Sequence, residues 1–145
     1  MSMSFQVAVD SQHAHVLADW WAETLGWQVE AHDPAFIRSM VEQGDATGEE
    51  TATHRGELVW RAGAAVVHPD GLAVPGGRIF FQQVPEGKSG KNRLHLDLRS
   101  APGEPGVGVE QLLERGAAVL GEGRQGPYSW TVMADPEGNE FCVSS

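Results

Sequence analysis

Apolar and polar residues alternate strictly over residues 93–99, RLHLDLR, where Leu94, Leu96 and Leu98 interleave with Arg93, His95, Asp97 and Arg99. Successive side chains on a strand point to opposite faces. The pattern therefore predicts a strand with a leucine face suited to packing beneath a helix and an ionisable face turned to solvent or a polar cavity. Phe5, Val7 and Val9 alternate with Gln6, Ala8 and Asp10 in the same way. The next stretch, SQHAHVLADWWAETLGW, changes period. Leu17, Trp20, Trp21, Thr24 and Leu25 share a helical stripe, Ser11 is placed to cap its start and Gly26 to end it in left-handed backbone. A short strand follows at 27–30. Asp33-Pro34 has the N-cap and first-turn chemistry of another helix, with Phe36, Ile37, Met40 and Val41 on one stripe and Gly44 as its stop. Residues 45–55 are polar and aperiodic and read as a loop. Strands are predicted at 57–61, 63–68 and 78–84, with a turn signature at His68-Pro69-Asp70-Gly71.

After the RLHLDLR strand, Val109, Leu112 and Leu113 form a helical stripe that Gly116 ends. Strands are expected near 117–121, 128–134 and 139–144, the last two joined by Asp135-Pro136-Glu137-Gly138. The halves repeat one another. Gln6 and His95 are 89 positions apart and Gly26 and Gly116 are 90 apart, while Pro69 and Pro136 are only 67 apart. The difference assigns about 22 extra residues to the first half, which matches the helix and polar stretch at 33–55. Each half reads βαβββ and cannot cover its own sheet, so two such sheets must share a core or enclose a cleft. The expectation is an α+β fold of two βαβββ modules in a single domain over 1–145. Module one spans about 4–86 with an inserted helix and loop at 33–55, and module two spans about 91–145.

Composition narrows the function classes. Twenty acidic against ten basic residues give a formal charge of −10. That disfavours nucleic acid, whose phosphates need a basic footprint. One cysteine, Cys142, excludes an internal disulfide and any cysteine-cluster zinc site. The opening MSMSFQVAVD has neither a basic run nor a long apolar stretch, so no membrane span is expected and a cytoplasmic location is the default expectation.

The segments LADWWAETLGW, FFQQVPEGKSGKNRLHLDLR and WTVMADPEGNEFCV together resemble the glyoxalase-like branch of the vicinal oxygen chelate superfamily (glyoxalase, bleomycin resistance and extradiol dioxygenase proteins). KNRLHLDL and DPEGNEFCV are the most specific parts, and the resemblance covers nearly the whole chain. It implies paired βαβββ modules forming a curved mixed sheet around a central cup, a small-molecule ligand, and a homodimer. On that basis His95, Asp97 and Arg99 look into the cup, as do Gln6 and Ala8 in the first half and Glu140 and Cys142 on the last strand.

Metal-using members of the superfamily place one ligand on the first strand of each module and one on the last. Carried over by position, these are Gln6, His95 and Cys142, with the first module's last-strand residue open between Phe81, Gln82 and Gln83. Asp97 is placed to converge with His95, and Glu140 to substitute if the register differs. Gln6 is a weak amide ligand and the metal-using members usually carry Glu where Cys142 stands, so a catalytic divalent metal is disfavoured. His95 and Cys142 also form a nucleophile–base pair on paper, although a lone intracellular cysteine is far more often inert packing. Arg78 and Arg99 are candidate anion clamps. Trp60, Trp130 and Tyr128 stand in mid-strand segments where they can stack on a flat ligand, whereas Trp20 and Trp21 have core spacing. None of His13, His15, His32, His54 and His68 has a ligand-spaced partner, and His13 and His15 are expected to be exposed. The expected function is small-molecule binding of the drug-sequestering kind without a catalytic metal. The alternative is a metal-dependent lyase, isomerase or dioxygenase using His95, and a third reading makes the insertion at 33–55 a partner-contact surface.

Overall fold

The computed structural model describes residues 1–144. It forms an α+β fold in two compact units, residues 1–86 and, among the described residues, 87–144. In the first unit β1 (Val7–Ser11) leads into α1 (Ala14–Leu25) and β2 (Gln28–Val29), and β5 (Gly63–Val67) and β6 (Arg78–Gln83) close the module. Between them lie α2 (Pro34–Glu42), β3 (Thr51–His54) and β4 (Glu57–Trp60). The second unit runs β7 (Leu96–Leu98), α3 (Val109–Glu114), β8 (Ala118–Gln125), β9 (Tyr128–Ala134) and β10 (Glu140–Ser144).

The two four-stranded sheets have the same order, β1-β6-β5-β2 and β7-β10-β9-β8. In each, the first and last strands of the module are parallel neighbours, and the remaining pairs are antiparallel. The duplication expected from the repeat is therefore present element by element. Within the first unit α1 lies on β5 and β6, burying Leu17, Trp20 and Trp21 with Ile79, Phe81 and Val66. Each such large side chain contributes about 1.5–3 kcal/mol by leaving water. In the second unit Leu112, Met133 and Phe141 are the fully buried large residues. Gly26 ends α1 at φ 67°, and Asp33 caps α2 through its side chain, which accepts from the Phe36 backbone N–H at 3.0 Å. Ser11 is not the N-cap of α1. His13 is, and the Ser11 Oγ accepts from its N–H at 3.0 Å.

Other expectations are corrected as well. Residues 51–54 are a strand rather than loop, and β4 pairs with them in a separate two-stranded ladder instead of joining the module's sheet. Arg55 at φ 50° and Gly56 at φ 79° supply the two left-handed residues of a tight hairpin turn, a backbone demand that a polar reading of the segment does not reveal. The inserted elements thus extend to Trp60, beyond 33–55. Second, the strand at 93–99 is shorter than its alternation suggests, because pairing begins only where Leu96 meets Phe141. Leu94, upstream of that ladder, is 89% exposed rather than covered by a helix. Third, Phe36 is exposed, and Ile37 alone of its stripe is fully buried.

A histidine cluster, also unforeseen, fastens the insertion to α1. His15 on α1 stacks on His54 of β3 and tilts against His32, both at 5.3 Å between ring centroids. His15 Nε2 lies 2.9 Å from the Trp60 carbonyl oxygen, and His54 Nε2 lies 2.7 Å from Asp19 Oδ2, which Arg55 also approaches at 3.1 Å. His15 is thus half-buried and partnered, not exposed. Burial, then the neighbouring His15, lowers the His32 pKa. Glu30 and Glu57 oppose the shift, and His54 adds to it. A histidine whose folded pKa is depressed costs the fold nothing while neutral in both states and destabilises it as pH falls below about 6.5, where the unfolded chain takes up the proton first. The melting temperature is expected to drop between pH 7.5 and 5.5, with a smaller drop in His32→Gln. Identical pH profiles for the two proteins in calorimetry would contradict this.

Candidate functional site

The second module exposes one chemically equipped sheet face. The parallel ladder pairs Leu96 with Phe141, Asp97 with Cys142 and Leu98 with Val143. Phe141 is 1% exposed, so its face is the core side and Glu140, Cys142 and Ser144 take the other. The antiparallel ladder sets Val132 beside Cys142 and Trp130 beside Ser144, and β8 continues that face with Gly123 beside Trp130 and Gln125 beside Tyr128. These strands and the segment entering β7 line a cavity of about 790 Å³, walled by His95, Asp97, Arg99, Tyr128, Trp130 and Cys142 among others.

His95 Nδ1 lies 2.9 Å from Asp97 Oδ1. One donor atom from each of His95, Asp97 and Cys142 lies within 4.8 Å of the others. Burial first, then the Asp97 carboxylate, raises the Cys142 pKa, so at neutral pH it is a protonated thiol. An activated nucleophile needs the opposite shift, and the Cys142–His95 nucleophile pair is not supported. Glu140 is committed elsewhere. Its Oε2 accepts from the Asn92 N–H at 3.1 Å and its Oε1 faces Lys88 Nζ at 3.2 Å, and these partners hold its carboxyl below the usual range.

Gln6 and Trp60 belong to the first unit. Gln6 Oε1 accepts from Arg78 Nη1 at 2.7 Å. Arg78 in turn makes a two-point contact with Glu30, its Nε and Nη2 each reaching one carboxylate oxygen at 3.0 and 2.9 Å. That occupies the arginine expected as an anion clamp. Trp60 is half-buried on β4, where its carbonyl serves His15. The register also corrects the open position on β6, which falls on none of Phe81, Gln82 and Gln83 but on Phe80. If Gln6 matches His95, Ala8 matches Asp97, and the strand partner of Ala8 is Phe80, as Cys142 is of Asp97. Phe81, 1% exposed, lies on the core side, and the counterpart of Cys142 is apolar. An engaged amide and a phenyl ring do not fit the superfamily's four-ligand metal set, which leaves only His95 and Cys142 of its positions with donors suited to a metal.

Lys91, Gln125, Ser129 and Val132 also line the cavity without having been singled out from sequence. Gly123 was missed as well. A Cβ built there would stand 2.1 Å from Trp130 Cε2 and 2.2 Å from its Nε1, so the indole rests on the bare backbone of the neighbouring strand. The hairpin turn around Gly126-Pro127, which brings the two positions opposite one another, was the available signal.

The chain belongs to the glyoxalase-like domain family, whose pattern matches residues 6–144. Solved structures with the same fold include a member of the glyoxalase/bleomycin resistance protein/dioxygenase superfamily from Sphaerobacter thermophilus. It is 13% identical, aligned over 99% of this chain and 97% of its own, with a TM-score of 0.54. A hypothetical protein from S. aureus is 11% identical over 99% and 94% of the two chains, with a TM-score of 0.52. A glyoxalase/bleomycin resistance protein/dioxygenase from Alicyclobacillus acidocaldarius is 10% identical over 99% and 90%, with a TM-score of 0.50. At these identities the likeness is one of fold. No curated protein matches the chain in sequence. Among the described residues no helix is long and apolar enough to cross a membrane.

The Gly123 contact makes a direct prediction. Gly123→Ala should push the indole off β8, shift the Trp130 indole N–H resonance, and cost about 1–3 kcal/mol of stability through overpacking. An unchanged resonance and unchanged chemical denaturation would show that the ring does not rest there.

Proposed function

We propose that this glyoxalase-like chain binds a small molecule in the second-module cavity, without a catalytic metal. The observation that carries the reading is the convergence of Trp130 and Tyr128 with His95, Asp97 and Arg99 on one concavity of about 790 Å³. That size lies within the roughly 300–1,000 Å³ of small-molecule sites, and a few polar groups among aromatic walls are the usual means of fixing a ligand's orientation. Trp130 supplies a flat apolar surface, and His95 and Asp97 supply one donor–acceptor pair. Sequestration of a drug-like compound is the form of this function the reading favours. Assembly as a homodimer is part of the same proposal.

A metal-dependent lyase, isomerase or dioxygenase is the second reading, and the 4.8 Å grouping of His95, Asp97 and Cys142 is the observation in its favour. The donor set opposes it, since the superfamily's remaining positions hold an amide engaged by Arg78 and an apolar ring, Gln6 and Phe80. Metal analysis of protein purified without a chelating tag separates the two. The first reading expects well under 0.1 equivalent, on the order expected of contamination rather than a loaded site. Near-stoichiometric metal that disappears in His95→Ala would replace it with the second.

Binding itself is tested by ligand-detected NMR against a library of aromatic compounds. Hits should lose about tenfold or more in affinity in Trp130→Ala, given that a stacked aromatic contact is worth about 1–3 kcal/mol. A broad screen without hits, or hits indifferent to Trp130, would overturn the proposal.

A further inference from the structure

The cavity's charges are unequally committed. Glu140 spends both oxygens on Lys88 and the Asn92 N–H. Asp97 engages His95 through one of its oxygens, Oδ1. Lys91 and Arg99, by contrast, have no ion-pair partner among the described residues, and the Lys91 ammonium donates only to the Asn92 carbonyl at 3.2 Å. A chain with a formal charge of −10 thus directs two uncompensated cations at the one concavity that also carries Trp130 and Tyr128.

Resting on the small-molecule reading above, we infer that the ligand is an anion with a flat aromatic body, its carboxylate or similar group held by Arg99 and Lys91 and its ring laid on Trp130. Three physical points support the inference. A guanidinium offers two parallel N–H donors that match a carboxylate, so an anion gains a charge-assisted contact that a neutral ligand does not. A cationic ligand would meet Arg99 and Lys91 as like charges, and the carboxylates it could pair with already engage His95 through Asp97 Oδ1 and Lys88 through Glu140 Oε1. The indole is pre-positioned, because the missing side chain at Gly123 seats it against β8 before any ligand arrives. The field of the whole acidic molecule slows the approach of an anion, so selectivity must come from contacts inside the cavity.

The test compares three ligands of one shape: 2-naphthoate, 2-naphthamide and 2-naphthylmethylammonium, titrated calorimetrically into the full chain. The inference expects 2-naphthoate to bind at least tenfold more tightly than the amide and the ammonium to bind most weakly. Added salt should erode the advantage of the naphthoate. In Arg99→Gln, a substitution at an exposed position, naphthoate and naphthamide should come within about threefold of one another, since the charge-assisted hydrogen bonds are gone. Equal affinities in the unaltered protein, or a preference for the ammonium, would overturn the anionic ligand class while leaving the small-molecule reading intact. Silence from all three while other library compounds still bind at Trp130 would do the same. Silence from both sets would overturn the proposed function along with it.

Discussion

The parallel pairing of β7 with β10 is the constraint on which the site depends. It sets Leu96 and Leu98 beside Phe141 and Val143, and in the same step sets Asp97 beside Cys142. Strand side chains alternate, so a slip of one residue would turn Phe141 to water and drive Cys142 and Glu140 into the core. Exposing one such phenylalanine costs about 1.5–3 kcal/mol, before any penalty for burying a carboxylate. The core therefore selects the register, and the register assembles the face on which His95, Asp97 and Cys142 meet. Nothing in the polar residues themselves needs to be favourable for them to be held together.

The first module obeys the same constraint with different contents. Its parallel ladder sets Ala8 beside Phe80 and keeps Ile79 and Phe81 in the core. The opposite face carries Arg78, which binds Glu30 and Gln6 and passes 5.8 Å over the Phe80 ring. Those groups satisfy one another. The second module keeps the same backbone plan but leaves Arg99 and Lys91 unsatisfied around an aromatic floor. The two modules share one strand order, and the unpaired cations beside an aromatic floor lie in the second alone among the described residues.

Much of this was legible in the sequence because its signals are local. The stripe Leu17, Trp20, Trp21 specifies a helix wherever it lies, and Gly26 and Asp33 act on backbone groups within a few residues. The two-module plan followed from spacing, and the face containing His95 and Asp97 from alternation. What was not legible depends on partners distant in sequence. The hairpin at 51–60 turns on two left-handed residues, Arg55 and Gly56, in a segment whose polarity resembles a loop. Phe80 could be matched to Cys142 only once both ladders were paired. His15, His32 and His54 come from three separate segments, and the Gly123–Trp130 contact exists only because β8 and β9 lie side by side.

Proton–proton distances in the folded chain report the register that brings the Cys142 thiol to Asp97. Nuclear Overhauser spectroscopy on isotope-labelled protein should connect the Cys142 β-protons with those of Asp97 and with the Val132 methyls, while the Phe141 ring contacts Leu96 and Met133. Cross-peaks joining Cys142 to the Leu96 or Leu98 side chain instead, with Phe141 facing Asp97, would place the ladder one residue out of step and remove the site.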